Sequence, residues 1–189
     1  GTRIAPFTAS SIASINRIAP GRVFLGLGVG HTAMRVMGFN PMPPSEFREY
    51  VRVTRALLDG EEVEFTYRGQ TRSIKYLHEE LGFFDFAHRI PIYVAADGPK
   101  ALAIAGAYAD GRICASTEDP QRQEQNVQYM QDGAASVGRT LPEKFNRSTL
   151  TFACVLEPGE KLTSERVIEE TGSQVTMLFH YWYEWYRKT

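Results

Sequence analysis

Four short apolar runs constrain this chain more than any other feature: RVFLGLGVG (22–30), PIYVAA (91–96), RICAS (112–116) and TLTFACVLE (149–157). None alternates polar with apolar, so each reads as a strand buried on both faces, as in a parallel sheet. The segments around them have helical spacing. Ile12, Ile15 and Ala19 share a stripe that Pro20-Gly21 ends. Ser45 can cap a helix presenting Phe47, Tyr50, Val51, Thr54, Leu57 and Leu58. A third helix starts at Asp97 or Gly98 with Pro99 in its first turn, and Asp110-Gly111 closes it. Asp119-Pro120 opens a fourth, with Val127, Met130, Ala134 and Val137 in register and Gly138 at its end. The tail from Thr163 lines up Val175, Leu178, Phe179, Trp182 and Tyr186. Strands alternating with helices in this way predict an α/β fold with a parallel sheet. VEFTYRG is a short alternating strand that reaches a turn at Arg68-Gly69. Residues 70–90 lack a period, so 61–90 as a whole reads as an insertion.

Composition narrows the partners. With 21 Lys+Arg against 22 Asp+Glu, the net charge is -1, which gives no electrostatic basis for nucleic acid or an anionic membrane. No apolar run approaches the roughly 20 residues that cross a bilayer. A small-molecule substrate and a cytoplasmic setting are expected. The two cysteines, Cys114 and Cys154, are far apart inside apolar runs. They read as buried free thiols of a reducing compartment, with no metal-ligand spacing. The start, GTRIAPFTAS, has neither the layout of a signal peptide nor an initiator Met, so the chain is expected to be a piece of a longer protein.

Gly28, Gly30 and Ala33 fit the dinucleotide fingerprint G-x-G-x-x-A. That motif requires a helix, a second strand and an acidic residue at the strand's end. Here Gly38, Pro41, Pro43 and Pro44 intervene and no second strand arrives, so the match is accidental. The P-loop is excluded because no G-K-[ST] follows. What remains is a glycine-rich exit from the carboxyl end of a parallel strand, where ligands of such folds sit. AADGPKAL is a second such exit, opening a helix whose free amides and dipole suit a phosphate. Together the two can clamp one phosphorylated cofactor, or they are ordinary tight turns.

In order, TASSIASINRIAPGRVFLGLGVGHTAMRVMG, FREYVRVTRALLDGEEVEFTYRG and IPIYVAADGPKALAIAGAYADG resemble the bacterial luciferase-like superfamily. The nearest branch includes methylenetetrahydromethanopterin reductase and deazaflavin-dependent glucose-6-phosphate dehydrogenase. The resemblance implies a (β/α)8 TIM barrel that binds FMN or the 8-hydroxy-5-deazaflavin coenzyme at the carboxyl ends of its strands. It implies a flavin- or deazaflavin-dependent oxidoreductase or monooxygenase, and family members are commonly homodimers. The four runs correspond to strands four to seven, and GTRIA to the end of the third. Strands one, two and eight are then absent, so 1–189 is a single incomplete barrel domain expected to bind cofactor weakly and turn over little. The alternative is a non-catalytic homologue serving as a structural or assembly partner.

By position, the resemblance assigns cofactor contacts to Arg3, Ile4, Gly28, Val29, Gly30, Ala95, Ala96, Asp97, Gly98, Pro99 and Lys100. It places a non-proline cis peptide between Arg3 and Ile4. His31 stands where the deazaflavin branch often has an acidic group, and an imidazole there can act as acid, base or anion ligand. Arg35 can reach a phosphate or a carboxylate. His78 and His88 are expected on the surface of the insertion. The aromatic tail of His180, Tyr181, Trp182, Tyr183, Trp185 and Tyr186 is expected to pack on a neighbouring helix or subunit.

Overall fold

The computed structural model describes residues 2–114, 120–151 and 153–186. The chain divides into two compact units, Gly1–Thr149 and Leu150–Thr189.

The first unit is built on a parallel sheet. Its strands are β1 (Leu25–Leu27), β4 (Ile92–Ala95), β5 (Gly111–Cys114) and β6 (Asn146–Thr149), side by side in that order. Between β1 and β4 lies a separate antiparallel hairpin, β2 (Val63–Tyr67) and β3 (Gln70–Ile74). The helices are α1 (Ala5–Ile18), α2 (His31–Val36), α3 (Pro44–Leu58), α4 (Pro99–Tyr108) and α5 (Pro120–Ala135). Connections between parallel strands are right-handed, so helices of successive crossovers lie on one face. Burial agrees: Ile92, Val94 and Ala96 are buried in the core, whereas Tyr93 is half-buried and Ala95 exposed.

Several expectations shift by a face or a few residues. On α1 the buried stripe is Ala5, Ala9, Ala13 and Asn16, and Ile15 is 50% exposed. Hydropathy favours the isoleucines, but the small alanines are what let α1 close on α3. On α3 the helix begins at Pro44 with Pro43 as N-cap, and the Ser45 side chain makes no cap bond. Phe47, Val51, Thr54, Leu57 and Leu58 are buried as expected, and Tyr50 is half-buried. Residues 70–74 are a strand, because Arg68 and Gly69, at φ 50° and 75°, make the tight turn that folds them back on β2. The last strand is Asn146–Thr149, and the described part of 150–157 forms none. Its ladder with β5 ends at Cys114↔Thr149, and a strand needs a paired neighbour to continue. The expected strand end at Ala115-Ser116, the helix start at Asp119 and Phe152 lie outside the described residues.

Residues 75–91 lie at the amino ends of the strands. Asn16 Nδ2, near the end of α1, donates to the Asp85 carbonyl at 3.2 Å and the His88 carbonyl at 2.8 Å. Arg89 bonds Asp110, which immediately precedes β5. Of the insertion, only the hairpin tip reaches the other end, where Thr66 and Tyr67 approach the starts of α1 and α3. His78 and His88 are exposed, as expected. Cys114 is buried and Cys154 half-buried, and neither is in a disulfide.

In the second unit, Arg166 near the start of α6 (Glu165–Tyr186) bonds both Glu160 and Glu170. Glu160 also accepts from the Glu157 amide at 2.9 Å and the Ser164 hydroxyl at 2.9 Å. Arg166 first, then these donors, pull the Glu160 carboxyl from 4.5 down to about 2. A carboxylate lowered on folding stabilises above its unfolded pKa and loses that contribution as pH falls towards the folded value. The stability difference between wild type and Glu160→Gln is therefore expected to be full above about pH 4.5 and to vanish towards about pH 2. Urea titrations of both proteins across that window check it. Val175, Leu178, Phe179, Trp182 and Tyr186 share an exposed face of α6. The side chains of Tyr181 and Trp185 lie outside the described residues.

Candidate functional site

The two glycine exits leave neighbouring strands at the same end of the sheet. β1 and β4 pair in parallel through Leu25↔Ile92, Gly26↔Tyr93 and Leu27↔Val94. Both chains then turn out together, and a Cβ built on Gly28 lies 3.4 Å from Ala95 Cβ. The exits therefore leave the sheet side by side.

Each exit has its own cause. Gly30 sits at φ 77°, ψ 43°, the left-handed region, and is the N-cap of the six-residue α2. The Val29 carbonyl accepts from the Met42 amide at 3.0 Å, which ties the far end of the α2 loop back to the exit. Gly38 ends α2 after one and a half turns, so no long helix follows the fingerprint glycines. That short helix disposes of the dinucleotide reading. At the second exit Ala96 is buried, and its amide donates to the Ile113 carbonyl of β5 at 3.0 Å. Asp97, Gly98, Pro99 and Lys100 are exposed. Gly98 is the N-cap of α4 and no side chain caps that end, so the first-turn amides face outward. His31 is the first residue of α2 and exposed; Arg35 is half-buried in its last turn.

Arg3 and Ile4 are placed differently. Ile4 is the N-cap of α1, at φ -71° and ψ 152°, and the Arg3 guanidinium lies 4.5 Å over the Phe7 ring. Both line a separate cavity of about 600 Å³ with Met42, Glu46, Tyr50 and Tyr67, at the same end of the unit. No residue of 2–4 is in a strand, and the described residues contain no cis peptide, which corrects the expectation for Arg3–Ile4. Such a bond costs about 3–4 kcal/mol and needs enforcing neighbours, and no strand pairing holds this segment.

The sequence profile of the luciferase-like monooxygenase family matches residues 4–186. This chain belongs to that family. It is 38% identical over 144 residues to the 5,10-methylenetetrahydromethanopterin reductase of Methanolobus tindarius, covering 75% of this chain and 42% of the relative. It is 34% identical over 139 residues to the F420-dependent glucose-6-phosphate dehydrogenase of Microbacterium testaceum, covering 70% and 40%. The fold matches the coenzyme F420-dependent tetrahydromethanopterin reductase of Methanopyrus kandleri with a TM-score of 0.57 at 25% identity, over 79% of this chain and 46% of that one. A riboflavin lyase with modified FMN matches in fold alone, with a TM-score of 0.57 at 12% identity over 82% and 40%. The chain spans about two fifths of the length of the curated relatives it matches. In this luciferase-like chain the sheet β1-β4-β5-β6 is thus a part of a (β/α)8 barrel, with consecutive barrel strands in order. Among the described residues no helix is long and apolar enough to cross a membrane, and no His, Cys, Asp and Glu group could hold a metal.

The residues at the exits fit a phosphorylated cofactor. A Cβ built on Gly98 meets nothing within 4 Å, so the approach to the α4 amides is open. No carboxylate other than Asp97 stands in the sequence of either exit, and Lys100 adds a positive charge. Sequence reasoning missed the cavity beside Arg3, because it assembles from α1, α3 and the hairpin, three segments with no shared motif.

Proposed function

We propose that the two exits hold the phosphate of FMN or of a deazaflavin coenzyme, and that the protein to which these residues belong is an oxidoreductase acting on a small molecule. The emergence of both exits side by side from the carboxyl ends of paired parallel strands carries the reading. When bound, the cofactor supplies the redox chemistry, and the protein supplies position and electrostatics. The Lys100 and Ala101 amides and the dipole of α4 favour the anion. Gly30 lets the β1 exit turn without a side chain between backbone and ligand. His31 stands beside that turn and can hold or release a proton near neutral pH.

Fluorescence titration of the purified protein with FMN and with the deazaflavin coenzyme tests this. Saturable binding of one of them is expected, competed by inorganic phosphate and weakened about tenfold or more by Gly98→Val, a loss of about 1.4 kcal/mol or more. Absence of binding by both, or binding indifferent to Gly98→Val and to phosphate, would overturn it.

A further inference from the structure

We draw no further inference here: the strongest candidate, the cavity of about 600 Å³ that Arg3, Glu46, Tyr50 and Tyr67 line at the starts of α1 and α3, carries nothing because nothing in the structure shows what covers it.

Discussion

Gly106→Ala is expected to destabilise the 1–149 unit by about 2–3 kcal/mol, and Gly133→Ala by a similar amount. α4 and α5 cross at these two glycines. A Cβ on Gly106 would lie 1.8 Å from the Met130 carbonyl oxygen, and one on Gly133 would lie 2.0 Å from that of Ala103. Ordinary contact begins at 3.4 Å, so the two backbones would have to part by well over an ångström. No rotamer change relieves a clash with main chain. Parting the helices loosens Met130, Ala134, Leu102 and Ala105, all buried at 0% exposure. Alanine's better helix propensity returns about 1 kcal/mol, which is less than the packing loss. Thermal melts should fall by roughly 5–10 °C for each single variant, given about 2–4 °C per kcal/mol in a domain of this size. The double variant should lose less than the sum, because helices already parted accept the second methyl cheaply. Additive losses would mean that the glycines do not share one crossing.

The second large effect is at the opposite end of the sheet from the glycine exits. Arg55 is 7% exposed near the end of α3. Its Nε and Nη2 donate to Asp59 at 2.7 and 2.5 Å, and its Nη1 donates to the Ile90 carbonyl at 2.9 Å. Asp110 lies 3.5 Å from Nη1 and accepts from the Ile92 amide at 2.9 Å, so one carboxylate joins β4, β5 and α3. Arg89 closes the ring on the solvent side, bonding Asp59 at 2.8 Å and Asp110 at 2.9 Å. Arg55→Ala is expected to lower stability by about 3 kcal/mol, since it strips a buried cation from two carboxylates and a carbonyl. Arg89→Ala, at a side chain 53% exposed, should cost about 1 kcal/mol or less. Denaturant titrations of the two variants decide it; equal losses would mean that Arg55 and Arg89 share the anchor equally. Conservation of activity is a separate matter, because this end of a barrel serves stability and the other end serves ligands.

Alternation of apolar runs with helical periods was enough to read the α/β class and the parallel pairing, while the order of the strands came from the family resemblance. The glycine exits were legible too, because Gly28, Gly30 and Gly98 mark strand ends in the text itself. Other features had no local signal. Ile12 packs against the core as its hydropathy suggested, but Ile15 lies on the exposed face of α1, since a helix buries whichever stripe its neighbour can approach. The strand at 70–74 has no apolar period and exists because the Arg68-Gly69 turn lays it on β2. Arg55 reads as one more charged residue on an amphipathic helix, and only the meeting of α3 with the starts of β4 and β5 makes it an anchor.

The sequence by itself determined that parallel strands alternate with helices and which bends leave the carboxyl ends of β1 and β4, because these depend on residues close along the chain. Only the tertiary structure decided that Gly28 lies beside Ala95 and that Gly106 packs on the Met130 backbone. Those are contacts between residues tens of positions apart, and what a glycine is for depends on which atoms lie where its side chain would be.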